Sequence, residues 1–476
     1  ILAVRKGTVA SVSDPHEIAN VLGEKGIDFM INNGKKVPFK FFFGAPSCVP
    51  ATPFETSGAV IDANKIADLL SRGDLYYLSE MMNFPGVIQA FPDVMKKLEL
   101  AKQHGIPIDG HAPGLRGDDL KKYINAGITT DHECDSLEEA EEKIRLGMKI
   151  QIREGSAAKS FDQLSPLIDK YPDQVMFCTD DAHPDELMQH HILDLIRRGK
   201  EKGLDFFNLL RAATVNPIYH YHLPVGLLQD GDPADFIVLD HPDKLNLKKV
   251  FIEGQEVFDG NNVQYEIPED LPVNHFEAQR PLMDDLKIPN PGKRMKLIQA
   301  IDGQLFTPQS SFLPKQDIDY INGDPENDVL KIVVLNRYKP VKPAVAFIQG
   351  FKLHEGAIAS SIAHDSHNIV CVGVEDQYIL KAINRIIDMQ GGIIAVSRDN
   401  EKTLQLNVGG ILSTQKGEKV AQKYQEISQM AKKMGCRFHA PFMTLSFMAL
   451  LVIPELKMSD QGLFDVTRFS YTTLEV

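Results

Sequence analysis

No glycine-rich phosphate loop follows any strand-like segment of this chain, and no apolar run approaches the roughly 18 residues of a membrane span. The opening ILAVRKG lacks both a signal-peptide layout and an initiator Met, so the chain reads as an internal fragment. Basic residues are in deficit. The 51 Lys and Arg against 65 Asp and Glu leave a net charge of −14, which argues against a nucleic-acid backbone as the main partner. The five cysteines (Cys48, Cys134, Cys178, Cys371, Cys436) are odd in number and form no CxxC. A disulfide framework is therefore not expected, and they read as small buried hydrophobes in a reducing cytoplasm. What is present is a soluble globular composition, 43% hydrophobic and 24% charged, in 476 residues, enough for two or three domains.

Seven short β-rich segments stand out in the first half: 8–14, 40–46, 75–80, 106–111, 128–132, 148–153 and 175–180. Between them lie stretches with apolar residues at helical spacing, DANKIADLLSRG, PDVMKKLELAKQHG, GDDLKKYINAG and DSLEEAEEKIRLG, each ending in the glycine that commonly stops a helix. Strand and helix alternating in this way indicate a parallel sheet. Successive strand ends fall about 20 to 30 residues apart, close to the roughly 31 per unit of a (β/α)8 barrel. A doubly wound open sheet is the alternative.

Four of these segments end on residues that can ligate a metal. LYYLSE ends on Glu80, IPIDGH on His111, ITTDH on His132 and VMFCTD on Asp180. Carboxylates and imidazoles at the C-terminal ends of successive barrel strands are how this fold builds a metal site, and a metal that activates water needs such ligands on rigid supports. In CTDDAHP, Asp180 can hold a metal and accept a proton from water, while Asp181 points elsewhere and can contact substrate. An N-cap for the following helix is the structural reading of Asp181 or Asp185.

Beyond the barrel, GDPADFIVLDH and LKKVFIEGQEVFDG read as antiparallel strands of a small β-sandwich annex. The expected organisation is a barrel over 1–222, annex strands over 223–265, a proline-rich linker over 266–293 and a C-terminal α/β domain over 294–476. The last has β-runs LKIVVLN, AVAFIQG, NIVCVGV and GIIAVS.

Across nearly its whole length the chain resembles the bacterial-type adenine deaminases of the metal-dependent amidohydrolase superfamily. The resemblance rests on SVSDPHEIANVLG, VPATPFETSGA, LSEMMNFPGVI, DGHAPGL, DHE, IREGSAAK and CTDDAHP, and continues through GAIASSIAHDSHNIV and PFMTLSFMALLVIPELKMSDQGLFDV. It implies a TIM-type amidohydrolase barrel that binds Mn2+ (or Fe2+) as a binuclear pair. It places Glu80 in the position that bridges two metals, with His111, His132 and Asp180 as further ligands and Asp180 as general base. The implied reaction is attack of a metal-activated hydroxide on C6 of adenine, which leaves hypoxanthine and ammonia. Asp181 corresponds to a substrate contact. Glu55, His16 and Glu17 are candidates to read the ring nitrogens, with Arg153 and Ser156 near the same rim.

In AHDSHN, the resemblance assigns His364, Asp365 and His367 to a loop that touches substrate. A Ser-His-Asp triad lacks the G-x-S-x-G elbow it would need, and a separate metal site stays open. The family's first strand carries a His-x-His pair, and no such motif occurs before Ser11. The expectation is thus a barrel lacking its first strand, with an incomplete metal site. The expected partner is a small molecule, adenine, with no nucleic acid or membrane, in a cytoplasmic homodimer of purine metabolism. The alternatives are an amidohydrolase for another amino-heterocycle or cyclic amide, and an inactive nucleobase-binding fragment.

Overall fold

The computed structural model describes residues 1–156, 158–267, 271–316 and 318–476. Residues 268–270 of the expected linker therefore lie outside the described residues. The chain divides into two compact units. One comprises Ile1–His16, Ile27–Cys48 and Ile61–Asp270, the other Glu17–Gly26, Val49–Val60 and Leu271–Val476.

The first unit contains all seven expected strands: β1 (Ala10–Ser13), β2 (Lys40–Phe43), β3 (Leu78–Met81), β4 (Ile108–Gly110), β5 (Thr130–Asp131), β6 (Lys149–Arg153) and β7 (Val175–Cys178). They neighbour one another in chain order. β1 pairs with β2, β3 with β4, β5 with β6 and β6 with β7, all parallel. A parallel bridge between Ala45 and Leu78 joins β2 to β3, and Thr129 N donates to Ile108 O at 2.9 Å across β4 and β5. Among the described residues, no eighth strand pairs with β1 or β7.

The intervening helices form where the apolar spacing predicts them, at Ala63–Ser71, Pro92–His104, Gly117–Asn125 and Leu137–Arg145. Local chemistry sets their ends. The Asp62 carboxylate accepts from Lys65 N at 3.0 Å and Ser136 Oγ from Glu139 N at 3.4 Å, each satisfying an otherwise orphaned amide of the first turn. Gly105, at φ 66°, takes the left-handed conformation that closes Pro92–His104. The apolar residues of β6 and β7, Ile150, Ile152 and Val175, pack under Phe161, Leu167 and Leu209 of the covering helices.

The annex strands β8 (Phe236–Leu239), β9 (Leu247–Ile252) and β10 (Gln255–Phe258) form an antiparallel sheet in the order β10-β9-β8. Val250, Ile252 and Val257 pack there against Val4 and Phe39.

The second unit is built on an eight-stranded, mostly antiparallel sheet. Its order is Gln309–Phe312, Met295–Gln299, Ala344–Gln349, Leu330–Leu335, Ile369–Gly373, Ala357–Ser360, Gly392–Val396 and Glu401–Gln405. The pair Met295–Gln299 and Ala344–Gln349 is parallel. Helix Asp376–Met389 buries Ile379, Ile383 and Ile386 against Val333, Cys371 and Ile394 of this sheet. Among the described residues, no helix is long and apolar enough to cross a membrane.

Candidate metal centre

Three strand ends of the first unit converge on one carboxylate. Glu80, on β3, places Oε2 2.9 Å from His111 Nδ1 and 3.2 Å from His132 Nε2. The possible ligand atoms of these three residues lie within 4.8 Å of one another. The backbone sets this convergence. Gly110 ends β4 so close to β5 that a Cβ there would lie 2.3 Å from Thr130 O, and only glycine lets the two strands approach to that distance. Tyr123 Oη accepts from His111 N at 3.0 Å and donates to Met81 O at 2.7 Å, tying the end of β4 to that of β3.

Further acidic and basic groups surround the three. Asp180 Oδ2 lies 3.6 Å from His132 Nε2, and Asp180 holds a φ of 51°, a left-handed conformation that Asp tolerates better than most residues. His16 Nδ1 is 2.9 Å from Asp14 Oδ2 and 3.8 Å from Glu80 Oε1. Glu133 Oε1 lies 3.6 Å from His111 Nδ1 and 3.5 Å from His132 Nε2. Arg153 pairs with Glu133 and, at 2.7 Å, with Asp180 Oδ2. At the end of β6, Ser156 N donates to Asp181 O at 2.8 Å and Ser156 Oγ accepts from His183 N at 2.9 Å.

The electrostatics follow from burial and pairing. Burial opposes ionisation of Glu80, yet hydrogen bonds and charge from His111 and His132 outweigh it and hold the carboxyl well below its usual range. Burial also opposes protonation of His132. Its contact with Glu80 and the charges of Asp180 and Glu133 prevail and push it up to about 10. His111 is raised too, because Glu133 and Glu80 overcome its desolvation. The carboxylates thus draw positive charge onto the imidazoles, as they would draw a cation in their midst. His111 Nε2 is buried without a hydrogen-bond partner among the described residues. Two imidazoles with carboxylates form a donor set that fits a borderline divalent cation.

The second unit gathers the other expected site residues. Glu17 lies between two imidazoles: Oε1 is 2.6 Å from His364 Nδ1, and Oε2 pairs with His367 Nε2. Asp365 Oδ1 is 3.3 Å from His364 Nδ1, and the His364 ring stacks on Phe447 with centroids 4.6 Å apart. Burial holds His367 below its ordinary pKa. Glu55 is buried and its Oε1 accepts from Thr52 N at 3.2 Å. Burial first, then the charges of Asp365 and Asp460, raise its carboxyl well above the usual range.

Two acidic residues of the first-unit cluster, Asp14 and Glu133, were not singled out from sequence. Asp14 stands at a strand end before a proline, a signal that could have been read. Glu133 directly follows His132, and strand alternation would send the two side chains to opposite faces. Because β5 ends at Asp131, the chain has left the strand and both side chains turn to Glu80's side.

Comparison with known proteins agrees with this organisation. Residues 2–257 match the amidohydrolase family and residues 304–470 the adenine deaminase C-terminal domain. An adenine deaminase of Methanosarcina mazei is 54% identical over 486 residues, covering 99% of this chain and 88% of its own length. That of Salinibacter ruber is 50% identical over 471 residues, covering 98% and 86%. That of Borreliella burgdorferi is 44% identical over 478 residues, covering 99% and 87%. The parallel-stranded unit is thus an amidohydrolase barrel domain followed by a sheet-rich C-terminal domain, and the chain belongs to the adenine deaminase family.

Proposed function

We propose that this chain hydrolyses adenine to hypoxanthine and ammonia, as a step of purine salvage, at the cluster centred on Glu80. The convergence of His111 and His132 on one Glu80 oxygen, with Asp180 beside His132, is the observation that carries the reading. Glu80, His111, His132 and Asp180 would hold manganese or iron, as part of a pair of ions in the full-length protein, drawing on the hard and borderline donors of this set. When bound, such a cation lowers the pKa of a coordinated water from about 15.7 towards about 7.

The chain's own residues do the rest. Asp180 accepts the proton of the attacking water, and Arg153, 2.7 Å away, orients that carboxylate. As the new C6–O bond forms, the proton passes to the exocyclic amine, the C6–N bond breaks and ammonia leaves. Arg153, Ser156, Asp181 and His16 of the first unit are proposed as substrate contacts. Glu17, Glu55, His364, Asp365 and His367 of the second unit are proposed in the same role. Glu55 suits it because burial and the nearby Asp365 favour its protonated form, which can donate to a ring nitrogen. A cytoplasmic homodimer completes the reading.

The test is ammonia release, together with the absorbance change from adenine to hypoxanthine, by the manganese-loaded full-length protein across a panel of purines and pyrimidines. Turnover of adenine above the other bases is expected. Stoichiometric metal with no adenine turnover would sink the substrate assignment.

A further inference from the structure

Lys143 lies on helix Leu137–Arg145 and its side chain is completely buried. Its ammonium uses all three of its donors, to Ala112 O at 2.8 Å, Asp131 Oδ2 at 3.0 Å and Glu139 Oε1 at 2.6 Å. Each acceptor belongs to the same network. Asp131 Oδ1 accepts from Ala112 N at 2.8 Å and Oδ2 from Glu133 N at 3.1 Å. Glu139 Oε1 also accepts from Gly114 N at 3.0 Å. The backbone just after His111 and on both sides of His132 is therefore gripped by one buried cation and its two carboxylates.

A buried ion network of this kind is a poor source of stability, since well-packed apolar residues in its place are often neutral or stabilising. Its geometry offers another account of its presence. β5 is only two residues long, so the ladder alone gives little control over where His132 points. The loop after β4 has left the sheet altogether by Ala112. The chain Ala112–Lys143–Asp131–Glu133 ties the backbone beside one imidazole to that beside the other, alongside the direct bond from Ala112 N to Asp131 Oδ1.

We propose that Lys143 is a positioning residue that sets the spacing of His111 and His132 for a divalent cation, an inference that rests on the reading of Glu80, His111 and His132 as its ligands. Partners that orient metal ligands are typically worth about 10- to 100-fold in metal affinity.

The test is Lys143→Met in the full chain, with Co2+ and Mn2+ affinity measured by chelator competition. The visible spectrum of the Co2+ form, the melting temperature of the metal-free protein, and kcat and KM for adenine are measured alongside. The expected result is a folded metal-free protein whose metal affinity falls about 10- to 100-fold. Its Co2+ spectrum is altered, and kcat falls more than KM rises. Glu139→Gln keeps the ammonium and Asp131 but weakens the grip on Gly114, and a loss of a few-fold in affinity is expected. A folded Lys143→Met that binds Co2+ with wild-type affinity and spectrum overturns the proposal. If Lys143→Met does not fold, wild-type affinity and spectrum in Glu139→Gln overturn it instead. His132→Ala separates the two readings: full metal stoichiometry in that variant would mean that the ligand assignment, rather than the role of Lys143, has failed.

Discussion

Arg153 Nη1 lies 2.7 Å from Asp180 Oδ2, joining the ends of two adjacent parallel strands by a single ion pair. The pair fixes the carboxylate that also faces His132, so Asp180 is held in place before any substrate arrives. Asp180→Asn removes the base and the anionic donor but keeps the shape, and Asn tolerates the left-handed conformation that Asp180 adopts. Turnover should fall by about 10^3-fold or more, with the melting temperature within a few degrees of wild type. Steady-state kcat and circular-dichroism melts check this, and a near-normal rate would remove Asp180 from the chemistry.

Removing metal should destabilise the first unit as well as silence it. Glu80, His111 and His132 crowd together, and a cation that binds only the folded state adds stability of about 2.7 kcal/mol at 100 times its Kd. Chelation should therefore lower the melting temperature of the wild type. Glu80→Gln should bind less metal, shown by elemental analysis, and its melt should respond less to the chelator. Equal chelator shifts in the two proteins would place the cation elsewhere.

Much of the first unit was legible in the sequence because two periodicities announce it. Helical spacing placed the covering helices, and the strand ends Glu80, His111, His132 and Asp180 are chemically conspicuous where strands meet loops. Glu133 was hidden because β5 stops one residue before His132, which a strand pattern does not show. The strand Ala357–Ser360 is absent from the expected β-runs because it is buried on both faces and carries no alternation. The grouping of Glu17–Gly26 and Val49–Val60 with the C-terminal residues rests on tertiary contacts such as Glu17 Oε1 to His364 Nδ1 at 2.6 Å and Thr56 N to Asp460 Oδ1 at 3.0 Å. Local sequence says nothing about such contacts.

Glu55 offers a test in which charge and hydrogen bonding separate. Burial and the neighbouring Asp365 and Asp460 favour its protonated form, so Gln is the closer mimic of the working state. Glu55→Gln should keep kcat/KM for adenine within about 10-fold of wild type, while Glu55→Ala should lose about 10- to 100-fold, as expected for an unmade hydrogen bond to a buried group. The reverse order would show that the ionised carboxylate is required.

Gly110 tests the close approach of β4 and β5. In Gly110→Ala, the methyl would meet Thr130 O at 2.3 Å and Ile128 Cγ2 at 2.7 Å, and the first of these is backbone that cannot rotate away. A stability loss of about 3 kcal/mol is expected, with weaker metal binding because His111 is the next residue. Denaturant unfolding measures the first effect and chelator competition the second. Wild-type values for both would mean that the strands part without consequence for the site.

Acid sensitivity should come in part from two histidines outside the metal cluster. Burial holds His220 down to about 3, with Lys149 and His222 adding repulsion and Thr129 as its hydrogen-bond neighbour. His191 is held at about 4, again by burial, although Asp194 favours its charge; Lys6 opposes it and Thr8 lies 2.6 Å away. Well above about pH 6.5 both histidines are neutral in the folded and unfolded states and add no pH dependence. Below that, the unfolded chain binds protons that the folded chain refuses. Stability therefore falls as pH drops towards the folded values, by at most about 1.4 kcal/mol per pH unit for each histidine. In His220→Gln, the slope of unfolding free energy against pH between about 4 and 6.5 should decrease by about one proton. The measurement is denaturant unfolding at several pH values. An unchanged slope would mean that His220 is protonated in the folded protein as readily as in the unfolded chain.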